Sequence, residues 1–205
     1  MTVVVVDYGL GNLRSVAGAV ERLGFEAVVS DRPADVAGAA RLILPGVGAF
    51  GDGMRRLHAL GFVDALNKAV CQHGVPILGI CLGAELMARD SDEFGRHEGL
   101  GWFDASVTRL TPSDRSLRVP HVGWNVIHRT REDPLLADIP ADAWFYFVHS
   151  YHVKCHDAAA VIAQAEYGGP VVAALHRDNI YGTQFHPEKS QRHGLTVLNN
   201  FLSRS

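Results

Sequence analysis

Cysteine is scarce in this 205-residue chain: Cys71, Cys81 and Cys155 are odd in number and irregularly spaced. Such usage argues against a disulfide framework and fits reduced thiols, so a cytoplasmic location is expected. Long apolar runs are missing too, and none approaches the roughly 20 residues that cross a bilayer. Met1-Thr2 leads straight into "VVVV" with no basic segment before it, so no export signal is expected. Neither charge sign dominates: 19 Lys and Arg face 22 Asp and Glu, for a formal net charge of -3. That balance does not suit a phosphate-backbone binder, and neither nucleic acid nor membrane is expected as a partner. There is no Walker-type loop and no complete dinucleotide fingerprint. "GLGN", from Gly9 to Asn12, has only two glycines and reads as a turn and helix cap. No cofactor is expected. Repeats, low-complexity tracts and long linkers are also absent. What remains is 47% hydrophobic and 20% charged, ordinary for one globular domain spanning residues 1–205.

The pattern of elements divides the chain in two. "TVVVVD", "EAVVS", "ARLILPGVG" and "VPILGI" are β-branched or continuous apolar runs, as buried strands are. Between them lie helical segments. Leu13, Val16, Val20 and Leu23 make one apolar face behind a candidate N-cap, Asn12, and Gly24 ends it. "GMRRLHAL" and "FVDALNKAVCQH" follow, separated at Gly61. Strands alternating with helices predict right-handed crossovers and a parallel sheet. From Trp102 onward the segments are short and strand-like, with turns at Gly168-Gly169 and Asp178-Asn179. "AWFYFVHSYHV" reads there as one strand. The fold class expected is α/β: a mixed, mainly parallel sheet flanked by helices, with an antiparallel extension in the C-terminal half. "SQRHGLTVLNNFL" closes the chain as a helix.

"PILGICLGAEL" places Cys81 on a sharp turn from a strand into a helix starting near Leu82, with a glycine two residues to either side. The G-x-S-x-G nucleophile elbow uses the same device with serine. A thiol at a helix N-terminus gains thiolate character; the plainer reading is a small buried hydrophobe. A cysteine nucleophile needs a base, and the base needs an orienter. "QFHPEKS" offers both: His186 and Glu188 are two apart, so in extended backbone they share a face. The plainer reading is a polar strand end entering a helix. Acyl transfer also needs oxyanion donors. "LPGVGAF" follows a parallel strand and should reach the same sheet edge, where ligands usually bind. Val47, Gly48 and the Leu82 N–H are the candidates, unless the turn is simply a loop before a helix.

Taken in order, "PGVG", "GICLG" and "FHPEKS" strongly resemble the class I (triad) glutamine amidotransferases, whose fold is flavodoxin-like. With "DYGLGN", "VPHVGWN" and "FYFVHSY" added, the match is sharpest to the glutaminase subunits of imidazole glycerol phosphate synthases, from histidine biosynthesis. It runs from Thr2 to Leu202. The resemblance implies a catalytic triad of Cys81, His186 and Glu188, acting on L-glutamine through a thioester. It implies that the "PGVG" strand reorients so that an N–H near Val47 and Gly48 completes the oxyanion hole. Substrate contacts are implied at Gly48, Leu82, His149, Ser150 and Tyr151. A partner interface is implied at Asn12, Trp124, Tyr146 and Lys189, the partner being a (β/α)8-barrel cyclase that receives ammonia within a heterodimer.

One departure stands out. Where the family usually has Met-Gln after "CLG", this chain has Ala84-Glu85, and that glutamine helps hold the substrate. Glu85 is therefore placed with the substrate contacts, four residues after Cys81 and on the same helix face. The departure keeps open a paralogue that feeds a barrel partner in surface-sugar amidation. A catalytically silent scaffold for a barrel partner and a cysteine hydrolase acting alone are further alternatives. "HSYHVKCH" gathers His149, His152, Cys155 and His156, but alternation in a strand points the first two apart, and no metal is expected. "WFYFV" reads as a core strand. His121 and Trp124 are divided between interface, which the resemblance favours, and packing, which composition alone favours.

Overall fold

The computed structural model of the chain describes residues 2–204. The valines of "TVVVV" form strand β1 (Thr2–Val6), and α1 (Leu13–Arg22) lays Val16 and Val20 against it. Strand β2 (Glu26–Ser30) leads through a 3-10 turn to β3 (Arg41–Gly46). Helices α2 (Phe50–Ala59) and α3 (Phe62–Leu66) follow, and α3 runs on as a π-helical turn over Asn67–Gln72. Then come β4 (Ile77–Cys81), α4 (Leu82–Glu85), β5 (Ala88–Ser91), β6 (His97–Glu98) and β7 (Phe103–Arg109). The remaining strands are β8 (His121–Arg129), β9 (Trp144–His149), β10 (Tyr151–Cys155), β11 (Val161–Glu166), β12 (Pro170–Arg177) and β13 (Ile180–Thr183). Helix α5 (Gln191–Arg204) ends the chain.

Nine strands form the main sheet in the order β2-β1-β3-β4-β13-β12-β11-β8-β9. Pairing is parallel from β2 to β13 and antiparallel from β13 to β9. The alternation of β1 decides the two cores. Val3 and Val5 join Val16, Val20, Leu198 and Phe201 from α1 and α5 on one face. Val4 and Val6 join Phe50, Leu57, Phe62 and Leu66 from α2 and α3 on the other. Each buried aliphatic side chain contributes roughly 1.5–3 kcal/mol, so the valine run anchors both layers at once.

Three expectations need correction. The segments after Trp102 are not all antiparallel: β13, from "IYGTQFHP", makes a hairpin with β12 but lies parallel to β4. "AWFYFVHSYHV" is two strands, broken at Ser150, whose carbonyl accepts the Leu110 N–H at 2.8 Å. That bond turns the chain away from β8 and onto β7. The result is a second, four-stranded sheet, β10-β7-β5-β6, which was not expected from the sequence. Ala105, Val107 and Val153 from it pack into the α2–α3 core.

Candidate active site

Cys81 is the last residue of β4, with φ 54° and ψ -114°. An L-residue held in such a region costs on the order of 1–3 kcal/mol, and the surrounding glycines are what allow it. A Cβ on Gly79 would lie 2.7 Å from the Ala84 backbone, and one on Gly83 would lie 1.7 Å from the Leu44 carbonyl oxygen. Gly46, at the end of β3, is as tightly placed against the Tyr8 hydroxyl, Leu82 and the Gly83 amide. The glycines therefore pack the "PGVG" turn directly onto the elbow.

The helix after Cys81 is a single turn, Leu82–Glu85. The expected gain of thiolate character is overturned. Burial pushes the Cys81 thiol well above the ordinary thiol range, the Glu85 carboxyl adds to this, and the Leu82 N–H only partly opposes them. Four residues carry little dipole, and desolvation of the anion outweighs it. The resting form is a thiol, whose sulfur lies 3.8 Å from the Val148 carbonyl. It needs a base.

The topology supplies one. Thr183 pairs with Ile80 across β13 and β4, so the residues after Thr183 leave the sheet beside Cys81. His186 and Glu188 are 2% and 1% exposed at the side chain, with His186 Nδ1 2.8 Å from Glu188 Oε1. A carboxylate only accepts, so Nδ1 carries the hydrogen, and in the neutral ring the lone pair is on Nε2. That Nε2 is buried without a hydrogen-bond partner. The His186 N–H donates to the Tyr146 carbonyl at 2.9 Å, and Ser190 Oγ donates to the His186 carbonyl at 2.6 Å. The His186 backbone is thus held against β9, Glu188 orients the ring, and Nε2 makes no hydrogen bond to Cys81.

A cleft of about 310 Å³ opens at Cys81. Of the residues expected there, Val47, Gly48, Leu82, Glu85, His149, Ser150 and Tyr151 all line it. Both ring nitrogens of His149 are already engaged, with Tyr151 O at 2.8 Å and His121 Nδ1 at 3.0 Å, which leaves it as wall rather than donor. Pro120, Val148 and Glu93 line the cleft as well. Glu93 was missed, because "SDEFG" reads as an ordinary polar loop. Its carboxylate accepts the Phe50 N–H at 2.6 Å, at the first residue of α2, and burial raises its pKa against that bond. Glu85 is 5% exposed and accepts from Gln184 Nε2 at 2.8 Å. Burial lifts its carboxyl to about 8. Among the described residues no lysine or arginine lines the cleft.

The residues expected at an interface gather nearby. Trp124 packs edge-on to Tyr146 at 5.9 Å, and Lys189 Nζ sits 5.8 Å from the Tyr146 ring centroid. Asn12 occupies the N-cap position of α1 but makes no side-chain capping bond, and α1 packs on the 187–189 turn. Trp144 is 53% exposed on the same hairpin face. The "WFYFV" segment is therefore core only on its other side, at Phe145 and Phe147. His121 is buried, which places it on the packing side. Among the described residues no three His, Cys, Asp or Glu side chains are placed to hold a metal ion.

Fold and site together are those of an α/β protein with a candidate cysteine nucleophile at the carboxyl ends of parallel strands. The chain matches the model of the class-I glutamine amidotransferase family over residues 4–204, and it belongs to that family. It is 46% identical to imidazole glycerol phosphate synthase subunit HisH 2 of Nitrobacter winogradskyi, over 98% of this chain and 97% of that one. It is 48% identical to the HisH subunit of Syntrophotalea carbinolica (97% and 98% covered) and 49% identical to that of Zymomonas mobilis (98% and 95%). Among solved structures, PurLQS from Thermotoga maritima aligns with a TM-score of 0.73 at 18% identity, covering 98% of this chain and 97% of that one. A structure titled glutamine amidotransferase aligns at 0.72 and 21%, covering 97% and 96%. Both likenesses concern the fold alone.

Proposed function

We propose that this chain is the glutaminase subunit of an imidazole glycerol phosphate synthase in histidine biosynthesis. It would act as one amidotransferase domain over residues 1–205, in the cytoplasm, and pass ammonia to a (β/α)8-barrel cyclase. The observation that carries the chemistry is His186, its Nδ1 tied to Glu188 and its Nε2 buried and unpartnered beside the Cys81 elbow. The full-length likeness to HisH subunits supports the pathway and the need for a second subunit. No helix among the described residues is long and apolar enough to cross a membrane.

His186 Nε2 takes the Cys81 proton, and the sulfur attacks the side-chain amide carbon of glutamine. The Leu82 N–H, with an N–H from Val47 or Gly48, receives the negative charge that forms on oxygen. Glu188 holds the imidazolium in place. Nε2–H then protonates the departing nitrogen, the C–N bond breaks, and ammonia leaves a γ-glutamyl thioester. Water, deprotonated by the same Nε2, attacks the thioester carbon and releases glutamate and the thiol. Because the "PGVG" turn must reorient before its N–H completes the oxyanion hole, glutamate release by the isolated chain should be slow. Adding the liganded partner is expected to raise it by about 10²–10³, the worth of one missing oxyanion donor. Full activity in the purified chain alone contradicts this reading.

Partner docking is assigned to the outer face of the β8–β9 hairpin, where Val122, Trp124 and Trp144 are 56%, 41% and 53% exposed. Exposed aromatics of this kind anchor interfaces. Trp124→Ala should weaken partner affinity by about 10-fold or more, a hot-spot loss, with an unchanged melting temperature. Calorimetric titration of the two subunits reads this directly.

A further inference from the structure

In the wall of the cleft and just behind it lies a buried histidine pair that the chemistry above does not use. His121 and His149 are paired across β8 and β9 and are 3% and 6% exposed. His149 Nδ1 is 2.8 Å from the Tyr151 carbonyl oxygen. A carbonyl only accepts, so this nitrogen carries the hydrogen and Nε2 of the neutral ring is an acceptor. His121 Nδ1 meets that Nε2 at 3.0 Å and must therefore carry its own hydrogen. His121 Nε2 is then the acceptor, and it faces the Asn125 amide at 3.5 Å. That amide donates to the Glu166 carbonyl at 2.9 Å. Burial keeps both rings neutral, lowering His121 to about 4 and His149 to about 3. The polarity thus runs one way, from Asn125 through His121 and His149 to the Tyr151 carbonyl. His121 is also stacked between Tyr167 and Phe147, with centroids at 3.9 Å and 4.9 Å.

The receiving end of this chain of bonds is the place where the backbone leaves one sheet for the other. The Ser150 carbonyl is held by the Leu110 N–H. The Tyr151 carbonyl is held by the His149 ring. In a planar trans peptide the N–H points opposite to the C=O. Holding these two carbonyls therefore fixes the amides of Tyr151 and His152, and with them the wall of the cleft at Ser150 and Tyr151.

We propose that His121 is a positioning residue for glutamine binding: its Nδ1–H holds His149 in the tautomer that pins the Tyr151 carbonyl. The proposal rests on the glutaminase reading of the cleft. His121 itself touches no reacting atom. Without its donor, His149 is free to place its hydrogen on Nε2 and release Tyr151.

Two substitutions and one spectrum test this in the assembled complex. His121→Phe keeps a flat ring between Tyr167 and Phe147 but removes the donor. His121→Asn returns an N–H near the same place. Loss of one buried hydrogen bond should raise the KM for glutamine about 10-fold in His121→Phe, with kcat within about 2-fold. His121→Asn should regain most of that loss. In the wild-type chain, ring ¹⁵N shifts should show the hydrogen on Nδ1 of both His121 and His149. A wild-type KM in His121→Phe, or a fall in kcat at constant KM, overturns the proposal. So does an Nε2–H tautomer or a charged ring at His149. If His121→Phe does not fold, the wild-type spectrum decides. Absence of glutamine turnover in the wild-type complex sinks the glutaminase reading instead, and the ring shifts still report on the relay.

Discussion

Cys81→Ala should abolish glutamine hydrolysis while leaving synthesis from free ammonia intact in the complex. The cysteine forms the only covalent bond between enzyme and substrate in the proposed sequence, and alanine offers no nucleophile. Removing the nucleophile of a triad enzyme typically costs about 10⁶ in kcat, so glutamate release should drop to background. The fold should persist. Alanine at φ 54° bears the same kind of backbone strain as cysteine, and the thiol's contacts are long, 3.8 Å to Val148 O and 4.0 Å from Gln184 Nε2. The ammonia-dependent rate, measured with saturating ammonium on complex whose assembly is verified, should match wild type. Loss of that rate along with glutaminase activity would refute the division of labour between the two subunits.

Glu85→Gln should have the second largest effect, and its size depends on pH. As a carboxylate, Glu85 in the place of the family's glutamine could accept a hydrogen bond but not donate one as the amide does. The structure changes that expectation, because burial raises the carboxyl from an ordinary 4.5 to about 8. At pH 7 it holds its proton and can donate as an amide does. Glu85→Gln should therefore change the KM for glutamine little at pH 7 and lower it above pH 8, where wild-type Glu85 ionises beside Glu93 in a cleft without lysine or arginine.

The same shift predicts stability. Below about pH 4.5 the folded and unfolded chains both keep the proton, and the shift costs nothing. Between 4.5 and about 8 the unfolded chain releases it while the folded chain retains it, so stability falls as pH rises. Above 8 the penalty is complete, on the order of a few kcal/mol at about 1.4 kcal/mol per pKa unit. Glu85→Gln removes it. Melting temperatures of the two proteins should agree near pH 4.5 and diverge by several degrees at pH 8, with the variant higher. Parallel melting curves across that range would show that Glu85 ionises normally in the folded chain.

Much of the fold was legible because it rests on local pattern. Continuous β-branched runs gave away the parallel strands, and the 3.6-residue spacing from Leu13 to Leu23 gave away α1. The elbow was legible because Gly79 and Gly83 are required by contacts within one strand-turn unit. The break at Ser150 was not, since it depends on a hydrogen bond to Leu110 forty residues away. The helix after Cys81 stops after one turn for a similar reason: the Leu86 and Met87 carbonyls are taken by the Leu100 and Trp102 amides. Glu93 enters the cleft only because tertiary packing brings it to the start of α2. The thiol's protonation was misjudged because the sequence displays the helix start but not the degree of burial.

The most direct test of the chain as an ammonia-delivering glutaminase follows the nitrogen itself. The complex would be given glutamine labelled with ¹⁵N at the side-chain amide, in buffer holding excess unlabelled ammonium at a pH where little of it is free ammonia. Mass spectrometry of the aminated product should show nearly full ¹⁵N, with one glutamate released per product, because ammonia made at Cys81 passes to the partner without mixing with solvent. Product carrying the isotope ratio of the buffer, or product formed without glutamate release, would contradict it.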